Sequence, residues 1–288
     1  MKQLNLFIES TRLKKPIGFM LLFWPCTWGL TLAFDFSNNL NLYIFYLLLF
    51  LFGSVLMRSA GCIVNDVVDR KFDKKVFRTK NRPIASGRLS VSLAIFYSLI
   101  LCSLAFLVLL NFNKFTIFLA IASMPLAFTY PFMKRITYWP QLFLGITFNY
   151  GIVLGWSSVS PTLEIIPFIL YFGAIFWTLG YDTIYGFQDI RDDEIIGVKS
   201  TSIRFKKNPI LFLSMCYFIF CSSILIIGVL MNFQYLFFIL FLIIFSQLFF
   251  VQIYQFKKNK PLMCFRIFKS NNILGLLIYL NILIGKLI

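Results

Sequence analysis

Residues 42–64, LYIFYLLLFLFGSVLMRSAGCIV, form an apolar run with one charge in it, and residues 65–87, NDVVDRKFDKKVFRTKNRPIASG, follow with ten charges in 23 positions. A helix needs about 20 apolar residues to cross the hydrocarbon core of a bilayer, so the first stretch reads as a membrane span. The abrupt change after Val64 marks where the chain leaves the membrane. Working outward, comparable runs fall near 17–34, 91–110, 115–133, 139–158, 165–187, 210–230, 234–255 and 271–287. The fold class expected is all-α, a polytopic bundle of about nine transmembrane helices in one integral membrane domain over 1–288. Pro125, Pro131 and Pro140 make the boundaries between 111 and 140 the least defined, because proline kinks or ends helices.

Composition agrees with this. Of 288 residues 59% are hydrophobic and 13% charged, and the mean hydropathy of +0.83 does not describe a soluble surface. The formal net charge of +16 raises the possibility of nucleic-acid binding, and its distribution removes it. Of the 27 Lys and Arg, 24 lie in alternate connections: the N-terminal tail, 65–90, 134–138, 188–209 and 256–270. By the positive-inside rule those connections are cytoplasmic, as is the N-terminus, and the C-terminus is outside. No Arg- and Ser-rich stretch precedes the first apolar run, so a transit peptide is not expected and the location expected is the bacterial inner membrane.

The sequence has no histidine, which excludes serine–histidine triads, HExxH zinc sites and imidazole bases. The six cysteines show no metal-ligand spacing and read as packing residues, and the 37 phenylalanines read as lipid-facing or packing residues.

The acids carry the chemistry. Eight of eleven lie in two segments at the cytoplasmic ends of the second and sixth spans: Asp66, Asp69 and Asp73, then Asp182, Asp189, Asp192, Asp193 and Glu194. At 100° per residue Asn65, Asp69 and Asp73 share a helix face, as do Tyr185, Asp189 and Asp193. Like charges at i and i+4 repel, so two matched arrays call for a cation between them. Oxygen-only donors indicate a hard ion, Mg²⁺ or Mn²⁺, typically held by one or two carboxylates together with substrate phosphates. Arg78, Arg82, Lys199 and Arg204, in the loops beside these faces, complement a phosphate, and the combination reads as a diphosphate site. Opening into an apolar bundle, that site suits a lipid diphosphate whose tail stays in the bilayer. A secondary transporter is the competing class, but transport sites tend to lie near the bilayer midplane rather than at helix ends on one side.

Residues 65–87 resemble the first Asp-rich motif of the UbiA family of intramembrane prenyltransferases, and residues 181–201, YDTIYGFQDIRDDEIIGVKST, resemble the second. Together with residues 12–30, RLKKPIGFMLLFWPCTWGL, the second motif is most similar to the branch of that family acting on 4-hydroxybenzoate. The resemblance implies a helical bundle around a central cavity, capped by the two motif loops. It implies Mg²⁺ held by Asp69, Asp73, Asp189 and Asp193 as the metal-binding and catalytic residues, with Asn65 in support. Polyprenyl diphosphate and 4-hydroxybenzoate are then the substrates. The reaction implied loses diphosphate to an allylic carbocation, which the ring carbon ortho to the phenol attacks; the base for the ring proton stays open among diphosphate, water and Asp182. Another aromatic acceptor within the family is the alternative. Asp66, Arg78, Arg82, Asp182, Tyr185 and Lys199 are taken as further substrate-binding positions. Gly186 departs from the alanine expected there.

Arg58 is the one Lys or Arg inside a well-defined span. It lies seven residues before Asn65 and eleven before Asp69, on the same face to within about 20°. A charge at that depth marks a functional site, expected to hold the acceptor's carboxylate. Snorkelling, or an internal pair with Asp182, is the alternative.

Overall fold

The computed structural model describes residues 2–37 and 39–288, and these fold into helices with no strand among them. In chain order the helices are α1 (Lys2–Thr11), α2 (Ile17–Ala33), α3 (Leu40–Val68), α4 (Arg70–Asp73), α5 (Val91–Leu109), α6 (Lys114–Ile136), α7 (Pro140–Asn149), α8 (Gly151–Ser157), α9 (Ile165–Gly186), α10 (Ile190–Ile196), α11 (Thr201–Arg204), α12 (Pro209–Leu230), α13 (Tyr235–Ser246) and α14 (Pro261–Leu287). Seven of these elements are long and apolar enough to cross a membrane, α13 among them with its continuation to Ile253. The other two expected spans are occupied by α2, a 17-residue apolar helix, and by α7 and α8 in series. Polar side chains start several helices: Asn39, Ser90 and Asn113 each accept a hydrogen bond from a first-turn amide.

Two of the sequence-based boundaries shift. Helix α6 runs through both Pro125 and Pro131 to Ile136. Helix α14 begins at Pro261, so Arg266 and Lys269 of the expected loop 256–270 lie on helix. Proline at the first helical position needs no intrahelical amide partner, which is why that helix starts there.

Two departures from regular helix carry side-chain compensation. Between α7 and α8 the Gly145 carbonyl accepts from Asn149 Nδ2 and the Ile146 carbonyl from Tyr171 Oη, both at 2.8 Å. Carbonyls inside a bilayer must find such partners. After Ser246 the chain continues as a π-helical stretch, Gln247–Ile253, that turns Gln252 inward. Gln252 accepts from Tyr217 Oη at 2.6 Å and donates to Asn271 Oδ1 at 3.0 Å, which also accepts from Trp177 Nε1 at 2.8 Å. This buried network ties α9, α12, α13 and α14 together. Around it Trp28 lies 5.1 Å from Trp177, and Trp177 stacks on Phe220. The outer face carries exposed Phe52, Phe118, Phe218 and Phe250, as a lipid-facing surface should. Five of the six cysteines are buried.

Backbones approach most closely where α2 meets α8. A Cβ on Gly155 would lie 2.1 Å from the Cys26 carbonyl oxygen and 2.6 Å from the Leu30 amide nitrogen, and one on Gly29 would lie 2.0 Å from the Ile152 carbonyl oxygen. Gly151 and Gly155 thus form the small-xxx-small contact that lets membrane helices pack. Since backbone cannot yield as a side chain can, Gly155→Ala is expected to cost about 3 kcal/mol or more, the upper end for overpacking. Gly53→Ala, whose nearest new neighbour is Val108 Cγ1 at 4.0 Å, is expected to cost nothing. Thermal midpoints of the purified proteins in detergent compare the two.

Candidate functional site

Helix α3 delivers the first acid array and α9 the second. Both stop near their carboxylates: α3 ends at Val68, with Asp69 as its cap, and α9 ends at Gly186. The i→i+4 ladder nevertheless continues, with the Asp69 amide donating to the Asn65 carbonyl at 2.9 Å and the Asp73 amide to the Asp69 carbonyl at 2.8 Å. On the other side the Asp193 amide donates to the Asp189 carbonyl at 2.9 Å. Arg58, Cys62, Asn65, Asp69 and Asp73 therefore form one stripe, and Asp182, Tyr185, Asp189 and Asp193 another, and both stripes line one cavity of about 270 Å³.

Each carboxylate of the first array has a cationic partner. Lys134 Nζ contacts Asp69, Arg82 Nη1 lies 2.9 Å from Asp73, and Arg135 approaches Asp69 Oδ1 only to 3.6 Å. Asp69 is 1% exposed, and its Oδ1 has no hydrogen bond among the described residues. In the second array Arg78 Nε lies 2.9 Å from both oxygens of Asp189, its Nη1 donates to Tyr185 Oη at 3.2 Å, and its guanidinium sits 5.6 Å from the Tyr185 ring centroid. Asp193 forms no ion pair among the described residues. Burial and then the neighbouring Asp189 push its carboxyl up to about 6.

Most positions expected from sequence thus come together, and two, Asp66 and Arg204, are placed otherwise. Asp66 is not among the cavity-lining residues: it is 2% exposed and sits behind them, paired with Arg12 at 2.6 Å and Arg82 at 3.0 Å. Its place is that of a holder of the two arginines rather than a contact to substrate. Arg204 is exposed and away from the cavity, because it ends α11 on the outer side of the loop. Arg58 and Asp182 both line the cavity but make no ion pair with each other, and Arg58 Nε is buried without a hydrogen-bond partner among the described residues. Lys199 lines the rim, its Nζ donating to the Ile136 carbonyl at 3.0 Å. A Cβ on Gly186 would meet Ser202 Oγ at 2.3 Å, which accounts for glycine at that position.

The sequence reading passed over Arg12, Cys62, Tyr130, Lys134 and Gln141, all of which line the cavity. Lys134 and Arg135 lie in the last turn of α6, where the sequence reading has the connection 134–138 and takes the two cations only as an orientation signal. Arg12, just after α1, adopts a left-handed backbone with φ 57° and donates from Nη2 to Asp66 Oδ1.

Among the described residues no three carboxylates converge on one point. The donor set nevertheless fits a hard divalent ion: all the candidate donors are oxygen and, among the described residues, one buried Asp69 oxygen lacks a hydrogen bond and Asp193 forms no ion pair.

A membrane bundle that gathers carboxylates and guanidinium groups at one end of an apolar interior is built to hold a polyanion attached to a lipid. The chain belongs to the UbiA prenyltransferase family, whose profile matches residues 22–276. It is 43% identical over 289 residues to the mitochondrial 4-hydroxybenzoate polyprenyltransferase of Bos taurus, covering 99% of this chain and 76% of that protein. It is 38% identical over 281 residues to the 4-hydroxybenzoate octaprenyltransferase of Psychromonas ingrahamii, covering 98% and 96%. Its fold matches that of a UbiA homologue from Archaeoglobus fulgidus bound to GPP and Mg²⁺, with a TM-score of 0.71 and 15% identity over 98% of this chain and 100% of that one.

The Arg78–Asp189 fork and the Phe77 amide on Asp192 Oδ2 at 3.3 Å join the loop after α4 to the loop after α9. Without substrate, Arg78→Ala is expected to raise the rate of tryptic cleavage between residues 74 and 88 by on the order of tenfold, and Arg78→Lys by less, because lysine keeps the charge and loses the fork. Mapping early fragments by mass measures this.

Proposed function

We propose that this protein transfers a polyprenyl group from polyprenyl diphosphate to the ring carbon ortho to the hydroxyl of 4-hydroxybenzoate. The observation that supports it most is that one cavity collects both acid arrays, their cations and a half-buried arginine beneath them. The names of the related proteins point to the same acceptor.

Asp69, Asp73, Asp189 and Asp193 would hold Mg²⁺, which when bound draws negative charge off the leaving diphosphate. The cations now neutralising these acids, Lys134, Arg82 and Arg78, are within reach to turn toward the diphosphate, with Lys199 at the rim. Asn65 lies one helical turn below Asp69, and Asp66 fixes Arg12 and Arg82 from behind. The prenyl tail extends into the apolar bundle. Arg58 lies about three to four turns below Asp69 and Asp73, and its Nε, without a hydrogen-bond partner among the described residues, suits the acceptor's carboxylate, which guanidinium pairs in a bidentate fork.

The first test is a membrane-fraction assay with one prenyl diphosphate, Mg²⁺ and a panel of aromatic acids. Product is expected from 4-hydroxybenzoate above the other acids and none in excess chelator. Asp69→Ala and Asp189→Ala are each expected to lose most of the rate while remaining inserted. Full activity in chelator, or a near wild-type rate in either variant, contradicts the diphosphate site, and preference for another acid contradicts the acceptor.

Arg58 provides a separate prediction. Removing one partner of a buried charge pair costs on the order of 3 to 5 kcal/mol. Arg58→Ala should therefore raise the acceptor KM roughly a hundredfold or more, with Arg58→Lys recovering part. Binding of the prenyl diphosphate, measured separately, should change far less.

The proposed location is a bacterial inner membrane, crossed nine times with the N-terminus in the cytoplasm. A cysteine replacing Lys80 is expected to react with an impermeant thiol reagent from the cytoplasmic face only. Labelling from the outer face alone would reverse the orientation.

A further inference from the structure

Gly18, the second residue of α2, has no backbone reason to be glycine. Its φ lies outside the left-handed region, and alanine is the better helix former. What sets it apart is its neighbour. A Cβ built on Gly18 would lie 2.9 Å from Arg58 Nε, 3.6 Å from Arg58 Nη2 and 3.7 Å from Arg58 Cγ. The bare backbone of α2 therefore passes against the Arg58 side chain along its length. A second element touches the same group: Phe148, at the end of α7, is 7% exposed, and its ring centroid lies 5.2 Å from Arg58 Cζ. An aromatic face at that distance attracts a guanidinium without using any of its hydrogen-bond donors. Arg58 is thus located by contacts that leave Nε without a hydrogen bond among the described residues.

We infer that Gly18 and Phe148 are positioning residues that set where the Arg58 guanidinium sits in the cavity, and so tune binding of the acceptor's carboxylate. The inference rests on the acceptor-binding reading of Arg58. The nearest atom to the added methyl group belongs to a flexible side chain and not to backbone. Gly18→Ala therefore moves the guanidinium and leaves α2 in place. A displacement on the order of 1 Å at a binding group is enough to cost one to two powers of ten in use of the substrate.

The experiment compares four full-length proteins: wild type, Gly18→Ala, Arg58→Ala and the double variant. Each is assayed, with 4-hydroxybenzoate as acceptor, for the acceptor KM, the prenyl diphosphate KM and the thermal midpoint. Gly18→Ala is expected to raise the acceptor KM about tenfold, to leave the prenyl diphosphate KM within about twofold, and not to lower the midpoint. Added to Arg58→Ala it should raise the acceptor KM no further, because the group it displaces is gone. Phe148→Leu should likewise raise the acceptor KM, by less, and only when Arg58 is present.

If Arg58→Ala raises the acceptor KM while Gly18→Ala does not, the positioning role is overturned and the reading of Arg58 stands. A full additional effect of Gly18→Ala on the Arg58→Ala background also overturns it, as does a rise in both KM values with a lowered midpoint. If Arg58→Ala leaves the acceptor KM unchanged, the reading of Arg58 falls and the inference falls with it.

Discussion

The cost of keeping carboxylates out of water at the mouth of an apolar bundle governs the rest of this structure. Asp66 and Asp69 are 2% and 1% exposed, and a charge so placed needs a counter-charge and hydrogen bonds to remain ionised. The chain brings those partners from distant segments: Arg12 from the turn after α1, Arg82 from the loop after α4, and Lys134 from the end of α6. The arrangement is neutralised but not saturated. One Asp69 oxygen is unbonded, and Asp193 has no ion pair among the described residues. A metal ion with a diphosphate could exchange partners with this network, each carboxylate passing from an ammonium or guanidinium to the metal, and each freed cation passing to a phosphate oxygen.

Such an exchange requires that the two acid-bearing helices be held rigidly while their loops adjust. Glycines supply the rigidity between α2 and α8, where backbone meets backbone, and the buried network of Tyr217, Gln252, Asn271 and Trp177 ties α9 to the last three membrane helices. The loops are joined by less. The Arg78 fork on Asp189 and one long amide bond to Asp192 link the two motifs across the cavity mouth. Stability therefore resides in the bundle, and adjustability in the segments that carry the charges.

The arrays were legible in the sequence because acids are scarce: eight of eleven in two segments cannot be surface decoration, and helical spacing placed Arg58, Asn65, Asp69 and Asp73 on one stripe. Lys134 and Arg12 were not legible as parts of the site. Their contacts to Asp69 and Asp66 span 65 and 54 residues of sequence, and a cation near the end of a span carries the same local signature whether it orients the chain or reaches into a cavity. Asp66 misled for the complementary reason, since the motif places it beside the array while the helix turns it to the back. The π-helical stretch at Gln247 and the start of α14 at Pro261 depend on the partners those residues find, Tyr217 and Asn271 for Gln252 above all. Gly18 is, in the sequence alone, one more small residue in an apolar run. Its significance lies in a neighbour 40 residues away.

The central claim is that the two arrays together form one divalent-cation site for a diphosphate. The most direct measurement is a structure of the protein with Mn²⁺ and a non-reactive prenyl thiodiphosphate, with the metal located by anomalous scattering. The account predicts metal at oxygen-ligand distances, about 2.1 Å for an ion of this kind, from carboxylates of both the Asp69–Asp73 and the Asp189–Asp193 pairs, with the thiodiphosphate bridging them and Arg78 withdrawn from Asp189. Metal bound away from both pairs, or a thiodiphosphate seated in the cavity with Arg78 and Lys134 still on their carboxylates, would contradict it.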